Sequence, residues 1–253
     1  MDRRVRTCVR RSRKPCRGSA GQTLVLVSVT DRLPLFPLNS VLYPGLVLPL
    51  NIFEERYRRM ARDLLALPEG ERRFGVVALR SGREVGELPV DPVEAVFPLG
   101  CSAEVATLRP HADGRFDVVA TGASRFRLLS VDDTGPYLVG EVEYLDEPKG
   151  DDAAVLALAV AQAFAEYQRK LLGAQGRGPV ELPELPDDPV VLSYLVAAAM
   201  VLDLTDKQGL LVARDGTLRL REELSLLRRE NALLTHLRAL PAVELVRQGV
   251  TSN

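Results

Sequence analysis

Four lysines, three cysteines and two histidines are the scarcest chemistry-bearing residues in this 253-residue chain, and their placement argues against catalysis. A Ser–Lys dyad needs a lysine held beside a serine and stripped of its proton. Lys14, Lys149, Lys170 and Lys207 are the only lysines. Lys149 falls in an acidic linker, and Lys170 and Lys207 fall near predicted helix ends, where lysines commonly serve as solvated groups. A phosphate-binding P-loop needs Gly-x4-Gly-Lys-Ser/Thr, and the sequence contains no Gly-Lys dipeptide. His111 lies in a predicted turn and His236 on a polar helix face, so both read as solvated residues. The adjacent carboxylates Asp132-Asp133, Asp151-Asp152 and Asp187-Asp188 precede turns or helix starts, where capping explains them better than acid–base work. Cys8, Cys16 and Cys101 are widely spaced and lack the paired pattern of a metal site. Neither a metal nor a cofactor is expected.

Two polar groupings remain. Glu54, Arg56 and Tyr57 open a predicted helix and read as an ion pair that ties the helix to its neighbour. Arg125 and Arg127 flank Phe126 on a predicted strand, which reads as an exposed charged ladder.

The charge is uneven along the chain. Residues 1–28 carry eight basic groups against Asp2, leaving 25 basic and 33 acidic groups in the remainder, a net charge of −8. So acidic a body repels phosphate backbones and argues against nucleic-acid binding. The leader has no apolar core of the length a signal peptide needs. It is expected to be disordered, or to precede a true start at Val29. No stretch approaches the ~20 apolar residues of a membrane span. With so few cysteines, the chain reads as cytoplasmic.

The elements that position these residues fall into two halves. Pro34 and Pro37 remove backbone donors, so the run from Leu33 predicts an edge or bulged strand. Pro44-Gly45 predicts a turn into a second apolar run, Leu46 to Ile52. Tyr57, Met60, Ala61, Leu64 and Leu65 then recur at helical spacing over Glu54–Leu67. Further strands are predicted at 74–79, 95–108, 116–121, 125–131 and 137–144, with turns at 111–114, Thr121-Gly122 and 132–135. Strands at this spacing suggest a small closed or partly closed β-barrel.

Composition changes at 147–152, and helices are predicted at 153–172, 189–202, from a Thr205 cap to 212, and 217–240. Residues 84–93 and 173–189 read as a loop and a linker. Val155, Leu158, Ala159, Gln162 and Phe164 are expected to form the apolar face by which the helices pack on the barrel.

The string LPLFPLNSVLYPGLVLPLNIFEERY at 33–57 resembles the opening of the Lon protease N-terminal, substrate-binding domain. Gly122 to Arg127 and Pro136 to Val142 resemble its central strands. Asp188-Pro189, Leu195 to Ala198, Leu202 to Leu204 and Lys207 to Leu211 resemble its helical part in order and spacing. The resemblance spans about residues 31–245. It implies an α+β fold, a PUA-like β-barrel over 29–147 followed by a helical bundle over 148–253.

No serine stands in a context resembling the Lon nucleophile, so the ATPase and protease activities are not expected. The resemblance implies instead a non-catalytic polypeptide-binding module for unfolded or damaged proteins. Such a module would act as an adaptor or quality-control factor, serving a protease or chaperone. Leu35, Phe36, Leu38, Leu42, Tyr43, Leu46 and Leu48 are the candidate binding residues, because Pro34, Pro37 and Pro49 block regular pairing near them. Half or more of the seven are expected to be core, since so small a barrel needs its apolar residues. The alternative is RNA binding, which PUA-like barrels often perform. The acidic body and the lack of interleaved aromatic and basic residues count against it.

Overall fold

The computed structural model describes residues 30–80, 92–174 and 184–239. The basic leader, most of the 84–93 loop and the middle of the 173–189 linker lie outside them. The strands are β1 (Thr30–Leu38), β2 (Val47–Ile52), β3 (Arg73–Leu79), β4 (Val96–Pro110), β5 (Phe116–Asp132) and β6 (Val139–Tyr144). The helices are α1 (Glu55–Leu65), a four-residue α2 (Pro92–Ala95), α3 (Ala153–Ala174), α4 (Pro189–Ala199), α5 (Leu204–Val212) and α6 (Gly216–Ala239).

Strand order β2-β5-β4-β3-β1-β6, with β6 returning to pair with β5, closes five strands into a barrel and leaves β2 outside on β5. The long β5 makes this possible. Its first half pairs with β2, its second half with β6, and β4 runs along both. The predicted break at Thr121-Gly122 is absent, so two expected strands are one. Gly122 serves a close approach rather than a turn. Its N–H bonds to the Leu46 carbonyl at 2.9 Å and its carbonyl accepts from Gly45 at 2.8 Å. Any side chain there would collide with the Tyr43 backbone.

β1 is not the edge strand its prolines suggested. Residues 30–34 pair antiparallel with β6, and residues 35–38 pair parallel with β3. Each half has its own ladder partner on a different side, so a proline in either half can turn its missing donor away from the ladder. Pro44-Gly45 does form the expected turn. Gly45 takes φ +79°, and Leu46 N–H returns to the Tyr43 carbonyl at 3.2 Å.

Two apolar clusters pack on opposite faces of the strands, because the paired residues Phe36, Val76, Cys101 and Arg125 share the outer face and Phe126 takes the inner one. One surrounds Phe126, with Leu33, Leu35, Val77 and Val142. The other lies under α1, where Tyr57, Met60, Ala61 and Leu64 meet Phe36, Phe74, Val76 and Ile52. The Phe36 and Tyr57 rings stack at 4.2 Å. Burying side chains of this size contributes about 1.5–3 kcal/mol each.

The bundle has its own core around Val160, Phe164, Tyr167, Leu192, Val196, Leu210, Leu220 and Leu227. Asp188 caps α4 by accepting from Val190 and Val191 N–H. α5 is capped by Asp203, which accepts from Asp206 N–H, and not by Thr205. The face assigned to α3 from sequence is also corrected. Phe164 is buried, but Val155 and Leu158 are 73% and 70% exposed. The buried face runs instead through Ala153, Ala157, Val160, Phe164 and Tyr167.

Buried charge joins barrel to bundle. Arg125 is 3% exposed, which overturns the exposed-ladder expectation. Its guanidinium meets Glu147 at 2.6 Å and donates to the carbonyls of Leu211, Ala213 and Asp146. Arg219 of α6, 0% exposed, takes the other oxygen of Glu147 at 2.8 Å. It also donates to Leu210 O and Ser193 Oγ, with its guanidinium 3.9 Å from the Tyr194 ring centroid. The Tyr194 hydroxyl donates to Glu147 as well. Arg127, by contrast, is exposed and pairs with Glu143 at 2.7 Å.

Candidate functional site

The local sequence of β2 forces its position. Pro49 has no N–H, so a strand with Pro49 at its centre can pair fully on one side only. β5 is its ladder partner, and no other described strand pairs with it. The Gly122–Leu46 hydrogen bond sets the phase of that ladder. By the two-residue period of antiparallel pairing, Leu48 and Leu50 turn their backbone polar groups to β5. Val47, Pro49 and Asn51 turn theirs to the open edge. Side chains alternate in the same way, with Val47, Pro49 and Asn51 exposed and Ile52 buried.

Beside this strand lies a cleft of about 160 Å³, lined by Phe36, Leu38, Leu50, Ile52, Phe53 and Tyr57, with Asn51 and Glu54 at its polar margin. Phe53, at the junction of β2 and α1, is 52% exposed. The Glu54–Arg56 pair forms at 3.0 Å as expected, and Arg56 lies over the Tyr57 ring at 4.6 Å. Asn51 donates to Asp117 at 2.7 Å, while the second Asp117 oxygen meets His111 Nε2 at 2.6 Å. These two hydrogen bonds, His111 first, hold the Asp117 carboxyl below its usual range. The loop leading into β2 is anchored on the bundle. The Tyr43 hydroxyl donates to Lys207 O at 2.9 Å, and its ring lies 5.9 Å from that of Tyr194.

The seven sequence candidates separate clearly. Leu35, Phe36, Leu38, Leu42 and Tyr43 are buried, and only Leu46 and Leu48 remain half-buried. Leu35 belongs to the barrel core and Tyr43 to the bundle core, so neither can offer its side chain to a client in this conformation. Phe36 and Leu38 still reach the floor of the cleft. Sequence reasoning passed over Leu50 and Phe53. The available signal was Phe53 itself, an aromatic placed directly after a strand and before an acidic helix start, where the alternation of β2 breaks.

Among the described residues, the cysteine and the three lysines are otherwise engaged. Cys101 is buried, and desolvation pushes its thiol up to about 12, far from a reactive thiolate at neutral pH. Lys149 pairs with Asp188 at 2.5 Å, Lys170 with Glu166 at 2.6 Å, and Lys207 points to Ala198 O at 3.4 Å. Among the described residues, no three of His, Cys, Asp and Glu gather as a metal site would require. No helix among them is long and apolar enough to cross a membrane.

A five-stranded barrel with one helix packed on its outer face and a helical bundle behind it defines an α+β domain, and an apolar cleft opens beside its β2 edge. Residues 32–229 match the family described as the ATP-dependent protease La (LON) substrate-binding domain, and the chain belongs to that family. It is 30% identical over 206 residues to a Lon protease of Anaeromyxobacter dehalogenans, covering 80% of this chain and 24% of that protein. The chain spans about a quarter of the length of the curated relatives it matches. A Lon N-terminal domain protein from Xanthomonas campestris superposes with a TM-score of 0.53 at 25% identity, covering 77% of this chain and 98% of that one. The N-terminal domain of a Mycobacterium avium complex Lon protease shares the fold, with a TM-score of 0.56 at 19% identity over 80% of this chain and 98% of its own.

Proposed function

We propose that this chain is a non-catalytic module that binds unfolded or damaged polypeptide, with the cleft and the open edge of β2 as its docking surface. It would act as an adaptor or quality-control factor, passing clients to a protease or chaperone. The observation that carries the reading is the pairing of an open strand edge with a mainly apolar cleft ending in the exposed Phe53. An extended client can add main-chain hydrogen bonds along Val47, Pro49 and Asn51 while placing an apolar side chain against Leu50 and Phe53. Leu46 and Leu48 border the same strand, so two of the original seven candidates stay at the surface and Phe36 and Leu38 support it from below. Family membership supports a substrate-binding role, and the relatives named above are Lon proteases.

Binding of this kind is expected to be micromolar or weaker, about −8 kcal/mol at best, because a flexible client loses entropy on docking. It should weaken little with salt, since apolar burial and main-chain hydrogen bonds dominate. The test is fluorescence anisotropy with a labelled unfolded peptide and a labelled RNA, each at low and high salt. Peptide binding that survives salt supports the proposal. Tight, salt-sensitive RNA binding without peptide binding would overturn it in favour of nucleic-acid recognition.

A further inference from the structure

Glu223 sits one turn beyond Arg219 on α6 and is 0% exposed. Among the described residues, neither of its carboxylate oxygens has a hydrogen-bond partner. A buried charge normally needs both a counter-ion and donors, because leaving water costs more than a single distant attraction returns. Arg219 is the cation whose charge reaches it, and Arg219 and the other cations of the joint are committed elsewhere. Arg219 spends its donors on Leu210 O, Ser193 Oγ and Glu147. Arg125 from β5 is taken by Glu147 and three backbone carbonyls. Lys207 from α5 directs its ammonium to Ala198 O. Tyr43, from the loop between β1 and β2, gives its hydroxyl proton to Lys207 O rather than to Glu223.

We propose that Glu223 is a proton-held latch: the folded protein keeps it as the neutral acid, and its ionisation as the pH rises loosens the joint where α6 meets the β1–β2 loop. Burial pushes the Glu223 carboxyl well above the usual glutamate range, and the Arg219 charge offsets this only in part. The coupling reaches Tyr43, whose hydroxyl is raised first by its own burial and then by the charge of Glu223. Because Tyr43 anchors the loop that leads into β2, loosening there reaches the cleft. The latch itself stands whether or not β2 takes a client.

The sign follows from which state holds the proton. Unfolded, Glu223 ionises in the ordinary glutamate range; folded, it holds its proton to higher pH. Its stabilising contribution is therefore complete below the ordinary range, is lost as the pH rises through the raised folded value, and changes no further above it.

The test is a carbon-13 NMR titration of the glutamate side-chain carboxyls in the full chain from about pH 4 to about pH 9, with Glu223→Gln identifying the resonance. One resonance should titrate well above the others and vanish in the variant. Urea midpoints should fall with rising pH in the wild type and stay nearly level in Glu223→Gln. Amide exchange at residues 39–46, corrected for intrinsic rates, should quicken over the same window in the wild type only. Should Glu223→Gln fail to fold, the wild-type titration decides alone. If every glutamate titrates in the ordinary range, or the urea midpoints of both proteins move in parallel, the proposal fails.

Discussion

Phe126 and Arg125 are neighbours on β5, both almost inaccessible to water, and they hold two different cores together. Phe126 points into the barrel among Leu33, Leu35, Val77 and Val142, where cohesion is dry and undirected. Arg125 points the other way, into the joint with the bundle, where Glu147 is shared with Arg219 and backbone carbonyls take the remaining donors. The barrel core tolerates only changes that keep its volume. The joint tolerates only changes that keep its charges matched. A strand one residue out of register would exchange these two environments, so the ionic joint and the apolar barrel fix each other's register.

The largest expected effect probes the dry side. Phe126→Ala should cost about 3–5 kcal/mol, the usual range for emptying a buried aromatic site. Gly75 and Gly100 lie against its ring and bring no side chain to fill the space. Urea unfolding measures this, and a loss below about 1 kcal/mol would mean the barrel collapses freely onto the gap. Glu147→Ala should come next, at about 3 kcal/mol, because it strands two buried guanidiniums. Its side chain keeps 28% exposure, which places the cost at the lower end. A near-neutral result would show that backbone carbonyls alone sustain Arg125 and Arg219.

Smaller effects sharpen the contrast between surface and core. Phe53→Ser should leave unfolding within about 0.5 kcal/mol of wild type. It should weaken unfolded-peptide binding by about 1 kcal/mol, roughly fivefold in Kd, read by anisotropy. Equal binding by the variant would move the docking surface away from the cleft. The smallest effect belongs to Val155→Ser with Leu158→Ser. Both side chains face solvent, so the thermal midpoint should barely change, whereas a loss above about 1 kcal/mol would return this face to the core.

Much of the fold was legible because its signals are local. Pro44-Gly45 sets a turn by its own φ preferences, Asp188-Pro189 opens a helix, and Tyr57, Met60, Ala61 and Leu64 mark a helix face by spacing. The binding candidates were less legible. Leu35, Phe36, Leu42 and Tyr43 have the same composition as an exposed apolar patch. Only their neighbours across the barrel and bundle decide that they are covered.

By itself the sequence determined the division into strands then helices, the turn at Pro44-Gly45, and the family. Local backbone preferences and apolar periodicity suffice for these. The tertiary structure alone decided that Thr121-Gly122 runs straight through β5, because the requirement is a close approach by Tyr43 from the loop between β1 and β2. It alone placed Arg125 inside, since Glu147 and the α5 carbonyls that satisfy it are distant in sequence. It alone chose which side of α3 is buried. Val155 and Leu158 are as apolar as Val160, and burial depends on what stands opposite, which one helix cannot encode.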